Sequence, residues 1–116
     1  MSLALLSAGS LLNTDVKNTD NEDIGTITEI MLDVTKGRIA YAVLSFGGFL
    51  GLGEKLFAIP WVALTIDTTD EKFILNIDKE ILEKASGFDH DDWPDMSDVQ
   101  WNYNTYTYFG YDPYWD

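Results

Sequence analysis

The chain has 116 residues and a mass of 13.1 kDa, the size of one domain rather than two. It is 46% apolar and 14% aromatic, too rich in core-forming side chains for a disordered segment. Seven basic against 20 acidic residues leave a net charge of −13, which speaks against nucleic acid or an anionic membrane as direct partner, because both need Lys or Arg to neutralise phosphate. There is no cysteine, so thiol catalysis, disulfides and thiolate metal sites are excluded.

Residues 1–9 read as an N-terminal lead. The apolar stretch from Leu3 to Leu12 is interrupted by Ser7, Gly9 and Ser10. It lacks the basic start of a signal peptide and the roughly 18 apolar residues of a membrane span. The expectation is a cytoplasmic protein with no membrane insertion. Residues 10–17 predict a first strand, and Asn18-Thr19-Asp20-Asn21 its turn.

From Ile24 to Val34 a long strand places Ile30, Leu32 and Val34 on one face. Ile27 has the opposite parity, which predicts a bulge near Thr28-Glu29 or a strand buried on two sides. Thr35-Lys36-Gly37 is a tight connection in which Gly37 suits a positive φ. Residues 38–46 form the strongest strand. Ile39, Tyr41 and Val43 lie on one side and Ala40, Ala42, Leu44 and Phe46 on the other, so both faces need cover. The glycine-rich run from Gly47 to Gly53 follows, then short strands at 55–59, 62–66 and 73–77, with Thr68-Thr69-Asp70 as a turn. Residues 78–85 change to a helical period: Asp78 is the predicted N-cap, Ile81, Leu82 and Ala85 the apolar stripe, and Gly87 the stop. Short strands at this spacing predict a sandwich or barrel closed at one end by the helix.

Residues 88–116 differ in kind. They hold ten of the sixteen aromatic residues and seven acids but no Lys or Arg, so this extension carries −7 and the rest of the chain −6. The pairs Trp101/Tyr103 and Tyr106/Tyr108 alternate, predicting an extended segment with one aromatic face. Left exposed, it would be an aggregation liability. It is therefore expected to pack on the barrel or on a neighbouring subunit.

The run GRIAYAVLSFGGFLGLGEKLFAIPW over residues 37–61 resembles the PRC-barrel family. Ile24-Gly25-Thr26-Ile27 and Asp33 before it, and Asp78-Lys79-Glu80, Gly87-Phe88-Asp89 and Trp93-Pro94 after it, fit a stand-alone bacterial member. The family includes the cytoplasmic domain of the photosynthetic reaction-centre H subunit and the C-terminal domain of RimM. The resemblance covers about residues 10–95. It implies an all-β fold: a small, mostly antiparallel barrel of about six strands over residues 10–87, with one short helix. The aromatic extension of residues 88–116 lies beyond it. It also implies a role in protein–protein contact or assembly rather than catalysis, and it carries over no catalytic residue.

Motifs that would support other chemistry are incomplete. The loop Gly47 to Gly53 lacks the Gly-Lys-Ser/Thr ending and the following helix of a phosphate cradle. Its Phe49, Leu50 and Leu52 suit a contact surface or a tip folded back under the extension. Asp89-His90-Asp91-Asp92 with Asp95 and Asp98 could hold Ca²⁺ only in a register that places Pro94 where the loop needs glycine and Gln100 where it needs glutamate. His90, the single histidine, has no nucleophile elbow to serve. Twenty acids always furnish some carboxylate pair, and nothing selects one for a hydrolase. Trp61 reads as core filler and Trp93 as packing of the extension, although either ring could stack on a ligand. Lys36 and Arg38 are too few for a nucleic-acid surface.

The sequence thus predicts a non-enzymatic interaction module without metal or cofactor. It associates with itself, a symmetric dimer being the commonest form, and with a further protein. Phe46, Phe49, Leu50, Leu52, Trp101, Tyr103, Tyr106 and Tyr108 are the candidate contact residues. The alternative is a binding protein for a small apolar or aromatic ligand held between extension and barrel.

Overall fold

A computed structural model describes residues 5–46 and 55–115. Six strands, β1 (Asp15–Asn18), β2 (Asp23–Asp33), β3 (Arg38–Phe46), β4 (Lys55–Pro60), β5 (Leu64–Asp67) and β6 (Lys72–Leu75), make one sheet in the order β4-β3-β2-β1-β6-β5. Among the described residues only the β1–β6 pair is parallel. The sheet is therefore mostly antiparallel, as expected, but β4 and β5 are its two edges and the ring is not closed.

Three bulges shape this sheet. The β2–β3 register passes from Ile27↔Leu44 to Glu29↔Val43, leaving Thr28 as the extra residue, and its hydroxyl donates to the Val43 carbonyl. Further along, Met31↔Tyr41 is followed by Leu32↔Ile39, so that Ala40 is extra on β3. A third irregularity, between β1 and β2, falls at Ile24. Each extra residue adds a local turn of the strand. Together they let Ile24, Ile27 and Ile30, three residues apart, all reach one core. The bulge predicted near Thr28 is present. Leu32 and Val34, read as sharing the face of Ile30, are exposed, because the strand has by then run past the edge of the core.

That core joins Val16, Ile27, Leu44, Ile59, Phe73 and Leu75, with Leu82 of helix α1 (Lys79–Glu83) completely buried among them. Asp78 stands at the N-cap of α1 but makes no side-chain capping bond. Gly87 acts differently from the predicted helix stop. A Cβ there would lie 2.9 Å from the Leu56 carbonyl oxygen, where Leu56 and Phe88 exchange two backbone hydrogen bonds of 2.9 Å. Its bare backbone lets the chain close against β4.

Two predicted strands shrink. A 3-10 turn at Ala8–Leu11 takes the start of the expected first strand, so that β1 begins only at Asp15, and another at Trp61–Ala63 delays β5, leaving Val62 exposed. Pro60 cannot donate to a ladder, and it breaks the strand there. Replacing Leu44 by Ala is expected to cost about 2–5 kcal/mol, as for other fully buried leucines. Urea unfolding checks it, and a loss below about 1 kcal/mol would show that the two sheet halves do not share one packed interior.

Candidate functional site

The site begins at β3. Ala42 and Leu44 point into the core, and Tyr41, next to them, points to the opposite side. The cover over that outer side is the chain's own C-terminal extension. The expected extended segment is instead a helix, α2 (Val99–Tyr108). Asp98 caps it by accepting from the backbone N–H groups of Gln100 and Trp101. Its end is a Schellman motif: Gly110 takes φ 87° and donates to the Thr107 carbonyl, while Tyr111 donates to that of Tyr106. Glycine adopts this left-handed turn without steric cost. The hydroxyls of Thr105 and Thr107 donate to carbonyls four residues back, so these β-branched residues remain compatible with the helix. Asn102, Tyr106 and Phe109 form the inward face, a helical spacing that alternation alone disguised.

An aromatic seam results. The Tyr41 ring meets Trp101 at 5.6 Å and Tyr106 at 5.4 Å, and Tyr106 meets Tyr114 at 5.7 Å and Trp115 at 5.1 Å. Three of these contacts are edge-on and the fourth, Tyr106 with Tyr114, is tilted, arrangements the ring quadrupoles favour over a face-to-face sandwich. Each buried hydroxyl has a partner. Tyr41 donates to Asn102 Oδ1 (2.7 Å), and Tyr106 donates to the carbonyl of the bulged Ala40 (2.7 Å). Tyr114 donates to Asp33 Oδ2, and the Arg38 guanidinium lies 4.0 Å above the Tyr114 ring.

Burial raises the pKa of Tyr41 and of Tyr114 above the usual tyrosine value and pushes that of Tyr106 up to about 12. The Tyr114 hydrogen bond, with the Lys36 backbone N–H, holds Asp33 below the ordinary carboxylate value. These groups keep the seam uncharged on the tyrosine side and anionic at Asp33, the protonation states its hydrogen bonds require.

The predicted contact residues separate. Tyr106 is 1% exposed and anchors the seam, so it offers no free surface. Trp101 is half-buried against Tyr41, and Phe46 packs on the core with its ring 5.9 Å from Phe57. Tyr103 and Tyr108 are each 46% exposed, with the Tyr108 hydroxyl donating to the Ile81 carbonyl. Phe49, Leu50 and Leu52 lie outside the described residues. His90 is exposed beside Asp91, Trp61 stacks edge-on against buried Phe73, and Trp93 packs on Phe88. Sequence reasoning missed Asp33, Arg38, Asn102 and Tyr114. Only Asp98 before an aromatic run and Gly110 after it signalled the helix that brings them together.

Two surfaces remain around α2. Its outward face, Val99, Gln100, Tyr103, Asn104 and Thr107, is exposed and carries no charge, and the whole helix VQWNYNTYTY lacks one. On its other flank, between α2, the edge of β4 and the chain leaving α1, lies a groove of about 390 Å³.

The PRC-barrel domain family model matches residues 5–82. Among solved structures, the chain is similar to a 16S ribosomal RNA processing protein, RimM, from Pseudomonas aeruginosa. The two share 15% identity over 65% of this chain, with a TM-score of 0.45. The chain spans 45% of that protein's length. No curated protein matches the chain.

Replacing Tyr106 by Phe leaves the Ala40 carbonyl without its partner and is expected to cost about 1–3 kcal/mol. The seam also carries a pH signature. Tyrosines with raised folded-state values contribute stability that is complete below about pH 10 and lost as pH climbs through the folded values. Tyrosinate absorbance followed with near-ultraviolet circular dichroism is expected to show ionisation of the seam tyrosines only as the tertiary signal disappears. Their ionisation with the signal unchanged would contradict the packing.

Proposed function

Because the chain belongs to the PRC-barrel family, we propose that it is a non-enzymatic interaction and assembly module of the cytoplasm. Residues 10–87 serve as the barrel unit, and residues 88–116 are an extension that both seals it and presents a contact face. The supporting observation is the outward face of α2. In a chain with 23% charged residues, ten consecutive helical positions carry none. Val99 and Tyr103, one turn apart, are 67% and 46% exposed. Depletion of charge with exposed tyrosine is the composition of an interface centre.

A second copy of the same chain is the proposed occupant of this face. In a two-fold arrangement, a charge-free patch meets itself without bringing like charges together, which the rest of this −13 surface does not allow. A further protein partner is then met by the dimer, and the acidic balance keeps phosphate backbones away.

The double substitution Val99→Glu and Tyr103→Glu places like charges on both sides of the proposed dimer. Sedimentation equilibrium is expected to show the native chain as a dimer at micromolar concentration and the variant as a monomer that keeps the native circular dichroism spectrum and melts cooperatively, at a temperature lowered only by the lost association. A native chain that stays monomeric at high micromolar concentration sinks the proposal.

A further inference from the structure

The groove beside α2 has a chemical feature that its apolar walls conceal. Leu56 of β4 exchanges both its backbone groups with Phe88, so its N–H and C=O point away from β3. In an antiparallel pair this direction alternates, and Ala58 opposite Val43 therefore points the same way as Leu56 opposite Ser45. Ala58 is 5% exposed. Among the described residues, no hydrogen bond reaches its N–H or its C=O. By register the chain would offer Ser86 there, but it has turned away toward α1, and the gap it leaves is the groove.

A donor and an acceptor on one residue of a sheet edge are matched by the N–H and C=O of one extended residue on another strand. Phe57, Phe88, Trp101 and Tyr108 wall the space, with Thr105 above it, and these surround a side chain without charge. Beyond the groove the chain from Phe88 to Asp98 carries Asp89, Asp91, Asp92, Asp95 and Asp98. Asp89 is paired with Lys55 at 3.0 Å, and Asp91 and Asp92 are exposed. Lys84 is the cation that lines the groove itself.

We propose that this groove binds an extended peptide strand, one apolar residue of which pairs with Ala58 while basic residues flanking it meet the acidic segment. The inference rests on the interaction role proposed above and gives that role a partner chemistry. It uses the flank of α2 that adjoins the dimer face at Asn104 and involves neither Val99 nor Tyr103, so sedimentation decides the dimer and peptide titration of the Val99→Glu, Tyr103→Glu variant decides the groove.

The probe is acetyl-Lys-Lys-Leu-Lys-Lys-amide, titrated into the full chain with amide chemical shifts and tryptophan fluorescence as readouts. The expected result is saturable binding with the largest shifts at Ala58, Gly87 and Thr105. Methylation of the leucine nitrogen removes the donor to the Ala58 carbonyl and is expected to weaken binding about tenfold, and replacing the four lysines by glutamates to abolish it. Ala58→Pro removes the edge donor while leaving the β3 ladder intact, since the lost N–H points outward, and is expected to weaken binding similarly. Should that variant fail to fold, the methylated peptide carries the same test on the native chain. Equal affinity of native and methylated peptides, equal affinity of the glutamate peptide, no shift at Ala58, or 3-methylbutanol binding as tightly as the peptide would each overturn the proposal.

Discussion

The hydrogen bond from Tyr106 to the carbonyl of Ala40 joins the two parts of this molecule. The bulge at Ala40 curves β3 but takes its carbonyl out of step with β2, and a buried carbonyl without a partner costs on the order of 1–3 kcal/mol. Tyr106 supplies that partner from sixty-six residues away while its ring fills the outer side of β3. Sheet curvature and attachment of the extension therefore depend on each other. Tyr41, with its hydroxyl on Asn102, and Tyr114, with its hydroxyl on Asp33, hold the same helix and its trailing segment in place from either side.

This arrangement changes where the apolar excess of the chain is resolved. A strand buried on both faces demands a second layer, and the extension provides it within one copy. The faces proposed for interaction are then the far side of α2 and the edge of β4. The seam tolerates the strongly acidic chain because Asp33, the carboxylate that bonds to it among the described residues, lies at the margin, close to Arg38 and Tyr114. Carboxylates are concentrated instead in the connection from Phe88 to Asp98, where solvent screens them.

Local patterns in the sequence were legible where local physics governs them. The two-sided strand over Arg38 to Phe46, the Gly37 turn at φ 67° and the bulge at Thr28 all follow from side-chain parity and backbone sterics. The extension was misread for a comparable reason. Trp101, Tyr103, Tyr106 and Tyr108 satisfy a period of two over short stretches, yet the helix and its C-cap turn positions 102, 106 and 109 inward, with Tyr106 fully buried. Aromatic side chains have little preference between the two forms, so packing decided it. Likewise Asp33, Arg38 and Asn102 looked like ordinary turn and surface residues. Their roles exist only opposite Tyr114 and Tyr41, partners 61 to 81 positions away in the case of the hydrogen bonds.

The amino-acid order by itself pointed to an acidic, β-rich chain with a surplus of aromatic residues that had to be covered, because composition and periodicity report how much apolar surface a chain carries and on which side; the PRC-barrel type was legible only through the resemblance of residues 37–61 to that family. Only the tertiary structure decided what covers that surplus. Whether Tyr106 lies beneath a helix or on a free face, and whether Ala58 ends a sheet or continues one, depends on contacts between segments far apart in the chain, and no local preference encodes those.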